Sequence, residues 1–132
     1  MARLTALACF ALTLASATAP AWALTPADML AGYAQASGQS PQVVRGQQFF
    51  DATHGKEWRC STCHTTRPTA EGTHASTRKA ITPLAPSANP KRFTDSAKTE
   101  KWFRRNCNDV LGRECTAAEK ADVLAWLIGL KP

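Results

Sequence analysis

Cys60-Ser61-Thr62-Cys63-His64 is the stretch on which the fold of this chain turns. Two thiols separated by two residues and followed at once by an imidazole match the CxxCH spacing by which a haem is bonded through its two vinyl groups while the histidine coordinates the iron. A bare CxxC would equally suit a redox dithiol or half a zinc site. The adjoining His64 and the lack of a second cysteine pair nearby argue against both, so one covalently bound haem c is the expected cofactor.

Upstream, Met1-Ala2-Arg3 leads into the apolar run from Leu4 to Leu14 and then Ala21-Trp22-Ala23, the three regions of a secretory signal peptide. Residues 1–23 are therefore expected to be removed, leaving 24–132 as a monohaem domain in the periplasm, with Cys9 lost from the chemistry. The run is too short and too interrupted by Thr and Ser for a permanent span. No stable membrane insertion is expected. A chain of about 110 residues makes one compact domain with a modest apolar core, which a buried haem would enlarge.

Loss of Arg3 lowers the formal charge from +6 to +5. The excess is scattered, with no basic and aromatic stripe, so nucleic acid is not an expected partner. Lys98, Lys101, Arg104 and Arg105 form a local basic group that can steer an acidic redox partner.

Four longer helices are expected. Thr25-Pro26-Ala27-Asp28 opens the first, to about Ser37 before Gly38. A second runs from about Pro41 to Ala52, with Gly46 one turn before Phe50 so that another helix can come close while the ring packs beside the cofactor. Asp95 or Thr94 caps a third from Ser96 to about Val110, and the capping box Thr116-Ala117-Ala118-Glu119 starts a last one carrying Val123, Leu124, Leu127 and Ile128 inward. Thr65 to Pro90 has no sustained period and four prolines. It reads as a long loop wrapped on the haem, with Ile81 and Leu84 covering the edge.

The second axial position is open on residue grounds. Electron carriers often use Met or a second His there, yet Met29 is the only methionine beyond Met1 and lies in the first helix. His54, His74, Asn89, Asn106, a lysine or no protein ligand all remain. Asn106 stands out, sharing a helix face with Trp102, Phe103 and Val110, because an amide among aromatics is costly unless used. The reversal at Leu111-Gly112 can bring Cys107 and Cys115 together, the alternative being two free thiols. Arg67, His74, Arg78, Lys79 and Arg92, in or beside the loop, are candidates for propionate or entrance contacts.

These residues together resemble the sphaeroides haem protein family, oxygen-binding relatives of class I cytochromes c. The likeness extends over nearly all of 24–132. It includes Leu30-Ala31-Gly32-Tyr33, Arg45-Gly46, Cys60 to His64, Ile81 through Phe93, Thr94-Asp95-Ser96, Glu100-Lys101-Trp102, Arg105-Asn106-Cys107, Gly112-Arg113-Glu114-Cys115 and Glu119-Lys120-Ala121-Asp122. Pro83-Leu84-Ala85-Pro86-Ser87-Ala88 together with Arg105-Asn106-Cys107 is far more specific than CxxCH.

The resemblance implies an all-α, class I cytochrome c-like fold around one haem. It further implies His64 as proximal ligand, Asn106 as distal ligand of the oxidised iron, and a Cys107–Cys115 disulfide. High-spin iron that loses the amide on reduction and then binds oxygen or nitric oxide is expected, bordered by Trp102 and Phe103. Implied partners are a dihaem cytochrome c and a membrane cytochrome b. The related cytochrome c double-prime proteins place His where this chain has Asn106. The expected role is electron transfer with binding of small ligands rather than dedicated enzyme action. The alternatives are a gas-binding or sensing module, or a terminal oxidoreductase for oxygen, peroxide or nitrogen oxides.

Overall fold

A computed structural model describes residues 23–132, so the expected signal peptide lies, but for Ala23, outside the described residues. The order is α1 (Pro26–Ser37), α2 (Val43–Asp51), α3 (Cys60–His64), β1 (Gly72–Thr73), β2 (Ala80–Ile81), α4 (Ser96–Leu111) and α5 (Ala117–Gly129).

The caps lie where the sequence signals place them. Thr25 Oγ1 accepts the Asp28 N–H at 3.1 Å, and Asp28 Oδ2 accepts the Thr25 N–H at 2.9 Å, closing a capping box at the start of α1. Gly38 ends that helix in the left-handed region at φ 65°. Asp95, not Thr94, caps α4 by accepting the Lys98 N–H, and Gly112 ends it at φ 74°. Thr116 and Glu119 form the reciprocal box of α5. Each such cap satisfies backbone groups that would otherwise be orphaned, worth about 1 kcal/mol.

α5 is the centre of the domain, packed against both α1 and α2. On one side Ala121 and Leu124 meet Met29 and Tyr33 of α1. On the other Val123, Trp126 and Leu127 meet Phe50 of α2. Phe50, Leu124 and Leu127 are fully buried, each contributing about 1.5–3 kcal/mol by leaving water. Phe93 touches both clusters and joins them.

α2 departs from expectation at its start, beginning at Val43 rather than Pro41. Gln42 is extended as the N-cap, and its N–H donates to buried Asp122 Oδ1 at 2.7 Å. Val43 and Val44 remain 50% and 68% exposed, which leaves Gly46 and Phe50 as the packing side. The loop after α3 also contains regular structure, an antiparallel ribbon pairing Gly72 with Ile81 and Thr73 with Ala80. Two pairs of residues are too short to leave a period in the sequence.

Candidate haem site

α2, α3, β2, α4, α5 and the loop segments around them enclose a cavity of about 1150 Å³. That exceeds the usual range for small-ligand sites, roughly 300–1,000 Å³. α3 contributes Cys60, Cys63 and His64, α2 contributes Phe50, and the loop contributes Ile81 and Leu84. From α4 come Trp102, Phe103 and Asn106. These nine residues border one space, although three separate helices and a loop supply them.

The short α3 is held by its entry, where the Arg59 N–H donates to Thr62 Oγ1 at 3.1 Å. Both of its cysteines are free thiols, partly buried. Burial pushes the Cys60 thiol up to about 12, reinforced by the charges of Asp51 and Cys63. Burial also lowers His64 to about 4, helped by the positive charge of Arg92. A neutral imidazole keeps the lone pair that metal ligation requires. Phe50 lies 6.2 Å from the His64 ring and 4.9 Å from Trp126, so it carries the core up to the cavity wall.

Asn106 reaches the cavity from α4, and its side-chain amide has no hydrogen-bond partner among the described residues. Phe103, one turn before, stacks edge-on against Tyr33 at 5.7 Å and lies 6.4 Å from Phe93. Trp102 is 42% exposed, with the Arg105 guanidinium 5.7 Å from its ring centre. Cys107 and Cys115 are joined as a disulfide with a Cα separation of 5.6 Å. The bridge ties the turn carrying Asn106 to the start of α5.

The other axial candidates fare differently. His54 donates from Nε2 to the Phe49 carbonyl at 2.8 Å and does not border the cavity. Met29 is buried between α1 and α5, in the opposite cluster. Asn89 is spent on the loop, its Nδ2 donating to the Pro83 carbonyl and Thr82 Oγ1 and its Oδ1 accepting the Lys91 N–H. His74 does border the cavity, with Nδ1 accepting the Thr77 N–H at 3.2 Å. In the neutral ring this leaves Nε2 as a donor.

Of the candidate propionate contacts, His74, Lys79 and Arg92 border the cavity and Arg67 and Arg78 do not. Arg92 also clamps the loop, donating from Nε to the Pro83 carbonyl at 2.9 Å and from Nη2 to the Thr82 carbonyl at 2.6 Å. Phe93, Val110, Val123 and Leu127 complete the apolar wall and were not singled out as site residues from the sequence. The two α5 residues carried a signal, the inward stripe of that helix, but only packing shows that its end borders the cavity.

The donor set fits a covalent haem. Two unbonded thiols and a neutral imidazole from α3 border a largely apolar space, which the cationic and hydrogen-bonding groups His74, Lys79 and Arg92 also border. Cys60 and Cys63 would hold the group by thioether bonds and His64 would bind its iron.

Known proteins are similar to this chain in sequence and fold. A family described as Domain of unknown function (DUF1924) matches residues 36–127. Cytochrome c-type protein SHP of Cereibacter sphaeroides is 51% identical over 107 residues, covering 78% of this chain and 82% of the relative. Cytochrome c'' of Methylophilus methylotrophus is 43% identical over 94 residues, covering 68% of this chain and 65% of the relative. Among solved structures, that of oxidised SHP, described as an oxygen binding cytochrome c, superposes with a TM-score of 0.77 at 49% identity, covering 83% of this chain and 100% of the other. Oxidised cytochrome c'' superposes with a TM-score of 0.74 at 35% identity, covering 81% and 95%. The fold is thus the all-α cytochrome c fold, and the chain belongs to the sphaeroides haem protein family of c-type cytochromes.

Proposed function

We propose that residues 24–132 form a periplasmic, monohaem, high-spin cytochrome that transfers electrons and binds small ligands such as oxygen or nitric oxide. The observation that carries this reading is that His64 of α3 and Asn106 of α4 border the same cavity, while Met29 is buried elsewhere. When bound, the haem would supply an iron centre with a one-electron couple. His64 would provide the strong nitrogen donor and Asn106 the weak one. A neutral amide oxygen is a hard donor better suited to ferric than to ferrous iron. Asn106 would therefore be the side chain that withdraws on reduction, beside Trp102 and Phe103, which would border the place open to a diatomic molecule. The disulfide at Cys107 lets it move without unravelling its helix.

Electron exchange is proposed to run through the exposed side of α4, where Lys98, Lys101, Arg104 and Arg105 flank Trp102. A multihaem donor such as a dihaem cytochrome c, in turn served by a membrane cytochrome b, would meet this face with acidic residues. No helix of the described residues is long and apolar enough to cross a membrane.

The test is Asn106→Ala, followed by optical and electron-paramagnetic spectra of both oxidation states. Ferric iron is expected to stay high-spin in both proteins, with an exchangeable water detected only in the variant and faster ligand binding to it. Identical spectra and identical on-rates would show that Asn106 never touches the iron.

A further inference from the structure

His64 is followed by a residue in a conformation that suits glycine. Thr65 has φ 64° and ψ 163°, a region populated almost solely by residues without a Cβ. A β-branched side chain is held there against its steric preference. The surroundings show what holds it. Thr65 Oγ1 accepts the Arg67 N–H at 3.2 Å. Gly72 in β1 lies so close to α3 that a Cβ on it would stand 2.1 Å from the Cys63 carbonyl oxygen and 3.1 Å from His64 Cα.

Between these points, the carbonyl of fully buried Pro68 accepts the N–H groups of Leu84 at 2.8 Å and Ala85 at 3.0 Å. β1 pairs with β2 through Gly72 and Ile81. The backbone leaving His64 is consequently tied to the segment bearing Ile81 and Leu84, which border the cavity. Such a persistent outlier next to a metal ligand is over-determined by its neighbours, and groups that orient a ligand also tune the metal it binds.

We infer that Thr65 is a positioning residue for His64, its strained backbone and the Gly72 strand behind it together fixing where the imidazole stands and so how strongly a small ligand is held on the opposite side. Thr65 does not itself border the cavity and acts through the histidine. The inference rests on His64 being the proximal ligand, as proposed above. Glycine at this position would adopt the same backbone freely and let the turn relax. Alanine would keep the Cβ and the strain, losing only the Oγ1 acceptor.

Ferrous holoprotein is compared with its T65G and T65A variants by resonance Raman spectroscopy and by titration with carbon monoxide. T65G is expected to shift and broaden the iron–imidazole vibration and to change the carbon monoxide dissociation constant several-fold, with T65A close to the parent. A parental band and dissociation constant in T65G would overturn the inference, even if its thermal midpoint rose. So would a T65A as altered as T65G, which would assign the effect to the hydroxyl. Absence of an iron–imidazole band from the parent itself would instead overturn the reading on which the inference rests, in which His64 binds the iron and reduction frees the opposite place.

Discussion

Gly46 and Asp122 bring α2 and α5 into backbone contact. A Cβ on Gly46 would stand 2.0 Å from the Asp122 carbonyl oxygen. The same Asp122 accepts hydrogen bonds from the Gln42 N–H and from the Arg45 side chain, so one buried residue anchors the start of α2 by its carboxylate and the middle by its main chain. The approach places Phe50, one turn on, between α5 and the cavity.

Gly46→Ala should therefore be strongly destabilising, by about 3 kcal/mol or more, the upper end for overpacked cores. Nothing flexible can yield, because the clashing atoms are backbone. Gly32→Ala serves as the control, since a Cβ there meets nothing within 4 Å. It should stabilise α1 by up to about 1 kcal/mol. Denaturant unfolding of the two variants checks both directions, and equal effects would refute the close approach.

Opening the Cys107–Cys115 bridge, by reduction or Cys115→Ser, should cost about 2–3 kcal/mol from the entropy of the short loop it closes. It should also loosen the turn that carries Asn106, because Cys107 is its neighbour in α4. Thermal unfolding measures the first effect. Ligand on-rates of the reduced-disulfide protein measure the second, with unchanged rates showing that the clamp serves stability alone.

Glu100 links α4 to the core, its Oε2 accepting from Lys120 at 2.7 Å and its Oε1 from the Tyr33 hydroxyl. Burial pushes its carboxyl up, but the hydrogen bonds from Lys120 and Tyr33 and the charges of Lys120 and Arg104 prevail and hold it below the ordinary 4.5. A lowered folded value means that the group adds stability in full above the unfolded value and loses it as pH falls through the folded one. Glu100→Gln should cost about 1 kcal/mol or less near neutrality, given solvent screening. The gap to the parent should close below pH 4.5. A gap that persisted into acid would mean the carboxylate charge is not what matters.

Asn106→His should convert ferric high-spin spectra to low-spin ones, since a second imidazole is a stronger ligand than an amide. Ligand binding in the ferrous protein should slow accordingly. A high-spin spectrum in this variant would place residue 106 out of reach of the iron.

Much of the fold is visible in local signals. Thr25, Asp95, Thr116, Gly38 and Gly112 mark helix ends by hydrogen bonding or backbone freedom that depends on few neighbours. CxxCH is equally local, because its chemistry is contained in five consecutive residues. The start of α2 is not legible locally, since the Gln42 N–H is held by Asp122, eighty positions away. The ribbon of Gly72–Thr73 and Ala80–Ile81 was invisible because two-residue strands have no period to read.

The sequence by itself determined the helix caps, the two thiols and imidazole, the glycine that admits α5, and a short list of possible axial residues. Tertiary structure alone narrowed that list, turning His54 onto the Phe49 carbonyl, spending the Asn89 amide on the loop and burying Met29 in the far cluster, while Asn106 and His74 both border the cavity that His64 borders. It alone also produced the strained Thr65 behind the histidine. The division has a physical cause: caps and covalent motifs act over a few bonds, whereas which polar side chain faces a shared space depends on how separate helices pack.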